Sequence, residues 1–183
     1  MQRRELLAGL GGAGVLAGGV VIARTDASDR LSAGNGEPKA GGTASTVPRT
    51  RIETFDAPGS EAGYREVPER GGVTVLEFFA TTCDVCAAYM ETLRAVERDV
   101  DATFVSITVE VVGTTVDRET VADWWRDHEG DWTVGVDDDL TLSTALNAAS
   151  VPFTAVLDES NAVVYADNGA MTEDTLRDTI ARA

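Results

Sequence analysis

The chain has 183 residues, 43% of them hydrophobic, enough for one domain with a buried core plus additional segments. Its formal net charge is -16, from 31 acidic against 15 basic residues. A surface this acidic repels nucleic-acid phosphates and anionic lipid headgroups, so no nucleic-acid partner is expected.

The chain opens with "MQRRELLAGLGGAGVLAGGVVIA". Arg3 and Arg4 form a positive start, and no charge follows from Leu6 to Ala23. This pattern reads as a secretory signal or a membrane anchor over residues 1–24. The paired arginines and the mild, glycine-heavy run resemble a twin-arginine export signal. Glu5 departs from that pattern, as does the lack of Ser or Thr just before the arginines. Cleavage sites are legible at "VIA" and "TDA", and the run is also long enough to stay as one span, so both outcomes stand. The glycines between Gly9 and Gly18 disfavour a helix in water. Residues 25–50, from "TDASDRLSAG" to "TVPRT", carry almost nothing large and apolar and read as a disordered linker. The folded domain is expected over residues 51–183.

Within it, "RIETFDA" and "YREVPE" predict a short hairpin around the "APGS" turn signal. "VTVLEFFA", Val73 to Ala80, reads as a buried strand. "CAAYMETLRAVERDV" reads as a helix, with Met90, Leu93 and Val96 at helical spacing. "ATFVSITVEVV" reads as a second apolar strand. "DRETVADWWRDHEG" predicts a helix with Asp117 as its N-cap and Gly130 past its end. "DLTLSTALNAA" predicts a shorter helix capped by Asp139. "FTAVLDESNAVVYAD" predicts a hairpin around "DESN". "TEDTLRDTIARA" predicts a last helix capped by Thr172. Strands alternating with helices imply an α/β fold with a central sheet covered on both faces, and the late hairpin makes that sheet mixed. Trp124, Trp125 and Trp132 read as packing residues. His128 reads as a solvated residue at a helix end.

"FFATTCDVCAAYM" holds the only two cysteines, Cys83 and Cys86. Three roles compete for them. A closed zinc site needs four ligands, whereas the chain adds only His128 to the two cysteines. A passive staple closing so short a loop removes little chain entropy and stabilises weakly. The third role is a dithiol that cycles, and the context favours it. A pair after a buried strand that opens a helix puts the first sulfur at a helix N-terminus, where free N–H groups favour its thiolate. Cys83 is then the nucleophile and Cys86 the resolving thiol.

"VTVLEFFATTCDVC" and "ASVPFTAVLDESNAVVY" resemble the two signatures of the thioredoxin-like superfamily, a C-x-x-C after a strand and a Val-Pro turn entering a strand. The resemblance implies a thioredoxin fold from about Ile52 to the C-terminus. It implies that Pro152 is cis and packs beside the disulfide, and that Val151 offers backbone groups to a substrate strand. It also implies a buried acid six residues before the first cysteine that passes protons to the second, which falls on Glu77. Alternation along the strand leaves Glu77 in the core or at the strand end as a surface acid. The front hairpin, the insert "DRETVADWWRDHEGDW" and the late hairpin resemble the TlpA/ResA-type extracytoplasmic thiol-disulfide oxidoreductases. Those are membrane-tethered proteins, often reductants in cytochrome c maturation. High Asp and Glu with Lys39 as the only lysine resembles proteins of halophilic archaea, where acidic surfaces keep the chain hydrated.

The chain departs from the thioredoxin pattern around the cysteines. Thr82 stands where tryptophan is usual, and Asp84-Val85 replaces the usual proline-bearing dipeptide. Asp84 places negative charge beside the thiolate, which favours the disulfide and a more reducing couple. A peroxiredoxin would set Thr where Ala80 stands. A Sco-like copper chaperone would need three residues between the cysteines and a distal histidine. A non-catalytic assembly module on the same scaffold is the other alternative. The expected function is an exported thiol-disulfide oxidoreductase that acts as a reductant. It would need no cofactor beyond the Cys83–Cys86 dithiol. Its partners would be client proteins with cysteines or disulfides and a thiol-redox donor protein. It would sit outside the cytoplasmic membrane, free or tethered by its N-terminal segment.

Overall fold

The computed structural model describes residues 45–183. The expected signal or anchor and most of the expected linker lie outside that range. The described chain runs β1 (Thr50–Thr54), β2 (Gly63–Val67), β3 (Thr74–Phe79), α1 (Asp84–Glu97), β4 (Thr103–Thr108), α2 (Arg118–Asp127), β5 (Thr133–Val136), α3 (Thr141–Leu146), β6 (Phe153–Leu157), β7 (Val163–Asn168) and α4 (Glu173–Ile180).

The strands form one mixed sheet in the order β2-β1-β5-β4-β3-β6-β7. β3 pairs parallel with β4 and antiparallel with β6. Its six residues, TVLEFF, are all buried, as a strand covered on both faces requires. On one face, Val75 and Phe79 pack with Tyr89, Met90, Leu93 and Val96 of α1 and with residues of α2 and α4. On the other, Leu76 and Phe78 pack with Leu142 and Leu146 of α3. The α/β fold with a mixed, doubly covered sheet follows as the sequence implies.

Helix signals fall where side chains supply caps. Asp117 accepts a hydrogen bond from the Thr120 N–H at 2.7 Å, and Thr172 accepts one from the Thr175 N–H at 3.3 Å. These satisfy donors that the first turn leaves orphaned. At α3 the expected acid shares the first-turn donors with a second one, and Leu140 holds the N-cap position itself. Asp139 accepts from the Thr141 N–H, but the buried Asp137 reaches the Ser143 N–H and hydroxyl at 2.9 and 3.0 Å. Leu140, which follows both acids and leads into Thr141, takes a left-handed conformation at φ 57°.

Three further differences concern the strands and the start of the domain. β5 was not expected: its four residues, TVGV, are too few for a clear alternation, yet they pair with β4 and β1. The domain also begins before Arg51. Val47 is buried, its N–H donates to the Asn161 carbonyl at 2.9 Å, and the Val163 N–H donates to the Ser45 carbonyl at 3.1 Å. Residues 45–50 therefore belong to the fold and not to the linker. The second strand signal, "ATFVSITVEVV", also overruns β4, which ends at Thr108.

The tryptophans pack. Trp125 is fully buried, donates from Nε1 to the Pro58 carbonyl at 3.1 Å, and meets Trp132 edge-on at 4.9 Å between ring centroids. Trp124 stacks on Phe79 and on His128. Gly130 lies directly against the Trp125 indole, so a Cβ there would overlap the ring. The Gly130→Ala variant should therefore lose about 1–3 kcal/mol of stability through overpacking, read as a lower denaturant midpoint with an unchanged slope.

Candidate functional site

The β3–α1 junction builds the site. β3 delivers the chain to a tight turn, closed by the Cys83 N–H donating to the Ala80 carbonyl at 3.1 Å. Cys83 is the N-cap of α1, with extended backbone at φ -96° and ψ 103°. Its Sγ accepts a hydrogen bond from the Cys86 N–H at 3.1 Å. The first sulfur thus occupies a helix N-terminus, where orphan N–H groups favour negative charge. The two sulfurs lie at bonding distance, with Cα atoms 5.2 Å apart. Cys86 is only 1% exposed, whereas Cys83 is half-buried. The first cysteine is thus partly open to solvent and the second is shielded. Asp84 and Val85 sit exposed on the first turn of α1.

The Val151–Pro152 peptide is cis. Pro152 is buried and its carbonyl accepts from the Gly169 N–H at 2.7 Å. Val151 is half-buried and packs against the same core cluster as Cys83. Phe153 pairs with Phe78, so Val151 and Pro152 enter β6 beside the end of β3 that leads to the cysteines.

Glu77 lies in the core, not at a surface strand end. It is 2% exposed, and neither carboxyl oxygen has a hydrogen-bond partner. Val75 and Phe79 flank it on the face that packs against Cys86 and Tyr89. Burial pushes its carboxyl up to about 8, and the nearby Ser106 hydroxyl offsets this only in part. Its cross-strand partners are Ser106 on β4 and Thr154 on β6. Ser106 accepts from Trp132 Nε1 at 3.0 Å, and Thr154 donates to the Tyr89 hydroxyl at 3.3 Å. Burial pushes the Tyr89 phenol up to about 12; Thr154 opposes that shift, and charge on Glu77 adds to it. A buried polar seam thus crosses three strands with Glu77 at its centre. Sequence reading found Glu77 but not Ser106, Thr154 or Tyr89, because a hydroxyl in an apolar run carries no signal of what it faces.

Among the described residues, no group of three or more His, Cys, Asp or Glu side chains is placed to hold a metal ion. His128 Nδ1 lies 2.7 Å from the Trp124 carbonyl. A concave region of about 590 Å³ is lined by Thr54, Ser60, Tyr64, Arg65 and Thr133 among others, and neither cysteine borders it.

A comparison with protein families matches residues 43–181 to Redoxin. The chain belongs to the Redoxin family. A comparison with curated protein sequences returns no match. Among solved structures, StoA from Bacillus subtilis superposes with a TM-score of 0.60 at 16% identity, over 74% of this chain and 98% of that one. A secreted Mycobacterium tuberculosis disulfide oxidoreductase, homologous to E. coli DsbE, gives 0.60 at 18%, over 73% and 96%. The pneumococcal exposed lipoprotein thioredoxin from Streptococcus pneumoniae gives 0.63 at 16%, over 74% and 100%. The shared architecture is the thioredoxin-like fold.

Burial of Glu77 has a consequence for stability. The unfolded chain releases this proton near 4.5 and the folded chain near 8. Between those values the folded state binds more protons, so stability falls as pH rises through that window. Glu77→Gln removes the titration. Its melting temperature relative to the parent should climb from pH 5 to pH 8.5, by an amount worth on the order of a few kcal/mol, measured by thermal denaturation across that range.

Proposed function

We propose that this Redoxin-family chain is an extracytoplasmic thiol-disulfide oxidoreductase of the TlpA/ResA type, working through Cys83 and Cys86 as a reductant of client disulfides. The observation that carries the reading is the asymmetry of the pair: an accessible sulfur at a helix N-terminus with a shielded sulfur at bonding distance behind it.

The reaction follows from that asymmetry. The Cys83 thiolate attacks one sulfur of a client disulfide. A Cys83–client disulfide forms, the client S–S bond breaks, and one client sulfur leaves as a thiolate that takes up a proton. Cys86 then loses its proton and attacks the Cys83 sulfur. The Cys83–Cys86 disulfide forms and the second client thiolate departs. Two electrons have passed to the client, and a donor dithiol protein restores the pair by the same exchange in reverse.

Glu77 is the proton carrier for the second step. Its carboxyl, at about 8, lies close to the ordinary thiol value of about 8.5, so a proton moves between them at little cost. Val151 and Pro152 shape the groove in which an extended client segment lies. No cofactor beyond the dithiol enters the scheme.

Export rests on Arg3, Arg4 and the uncharged run to Ala23. The secreted and exposed descriptions of two structural neighbours support it. No helix of the described residues is long and apolar enough to cross a membrane, so any tether would fall to the N-terminal segment. The acidic, lysine-poor surface supports a halophilic setting.

The decisive test is catalysis of insulin reduction by the domain in high salt. Cys83→Ser should abolish turnover. Cys86→Ser should accumulate a mixed disulfide with the client, visible as a mass adduct. An assembly scaffold would show neither effect. The reduction potential should lie near the thioredoxin value of about -270 mV and far from the oxidase value of about -120 mV. Asp84→Asn should make the couple more oxidising, because it removes charge that disfavours the thiolate. An unchanged potential in that variant would remove Asp84 from the account.

A further inference from the structure

Glu110 lies two residues past the end of β4, in the loop that leads to α2. Its side chain turns back toward the dithiol loop, while its neighbours Val109 and Val111 are exposed. Oε2 accepts from the Thr81 N–H at 2.8 Å, and Oε1 accepts from the Thr81 hydroxyl at 2.8 Å. Oε2 also accepts from the Thr108 hydroxyl at 3.1 Å. The Val109 N–H donates to the Phe79 carbonyl at 2.9 Å. The end of β4 is thus fastened to the segment Phe79–Thr81, immediately before the turn that delivers Cys83.

Two physical effects follow. Thr81 has its backbone donor in a turn, where no ladder partner exists, and a buried or half-buried N–H needs one. A carboxylate is the strong choice, because charge-assisted bonds are shorter and roughly twice as strong as neutral ones. The second effect is electrostatic. The two oxygens hold a negative charge in place two residues before Cys83. The disulfide is neutral there, but the reduced state carries a thiolate, and a fixed like charge disfavours it. The helix N-terminus pulls the other way. We propose that Glu110 is a positioning residue of the dithiol: clamped on Thr81, it holds the redox loop and biases the Cys83–Cys86 couple toward the disulfide. The inference rests on the reading of these cysteines as a cycling pair.

The test is the equilibrium constant of the full domain with glutathione at pH 7, read by alkylation and mass, with melting temperatures as a check on folding. Glu110→Gln should shift the constant toward the dithiol by about three- to tenfold, tenfold being about 30 mV for a two-electron couple. Thr81→Val removes the hydroxyl donor but leaves the charge and the backbone bond, and should stay within about twofold of the parent. No shift in Glu110→Gln, a shift toward the disulfide, or an equal shift in Thr81→Val would overturn the proposal. If Glu110→Gln does not fold, Glu110→Asp takes its place. It draws the charge back from Thr81 and should shift the constant in the same direction, and an unchanged or opposite shift again overturns the proposal. A parent domain that forms no reversible disulfide would instead defeat the redox reading itself, which separates the two failures.

Discussion

β3 lies between a parallel and an antiparallel neighbour with every residue buried. A strand held on both edges and both faces has no freedom to slide, because a one-residue slip would send each side chain to the opposite face. The positions at its C-terminal end inherit that rigidity. Ala80 closes the turn with the Cys83 N–H, Cys83 starts α1, and the stripe Cys86, Tyr89, Met90, Leu93 and Val96 packs α1 back onto the same strand. Cys83 is therefore placed by a continuous chain of contacts that runs from β3 through the turn into α1.

The acids near the pair differ by environment. Glu77 is sealed under α1 without a hydrogen-bond partner and holds its proton. Glu110 is half-buried and accepts three hydrogen bonds, and Asp84 stands in water at the start of the helix. The three carboxyl groups thus meet three environments, one dry, one hydrogen-bonded and one in water. The difference lies in solvation and donors, not in residue type.

Much of this was legible in the residues themselves. "VTVLEFF" followed by C-x-x-C and a helical apolar stripe identifies β3, the turn and α1, because a continuous β-branched and aromatic run gives way to a period of 3.6. The caps Asp117 and Thr172 were readable for the same local reason. Four things were not. β5 is short and contains Gly135, and its strand character comes from its neighbours. Val47 is a single apolar residue in a polar stretch, and only a distant turn gives it a partner. Asp137 and Asp139 are equivalent as letters, and only the fold shows that both bond α3, Asp139 at Thr141 and Asp137 at Ser143. Glu110 stands between two valines and looks like the solvent face of a strand, although the strand has already ended and the carboxylate turns inward. Glu77 was visible only as a choice of faces, since a strand buried on both sides offers no alternation to settle it.

The pairing of Ser45–Val47 with Asn161–Val163 fixes where the chain enters the domain. The turn at Asp158–Ala162 follows Leu157, which pairs with Thr74 at the start of β3, whereas the dithiol follows Phe79 at its end. The entry point and the sulfurs are therefore at opposite poles of the sheet, separated by roughly 17 Å of strand. A leash drawn from the N-terminal side would pull on the far pole. The two backbone hydrogen bonds at Val47 and Val163 would take the load first, well before the end of the sheet that carries the cysteines.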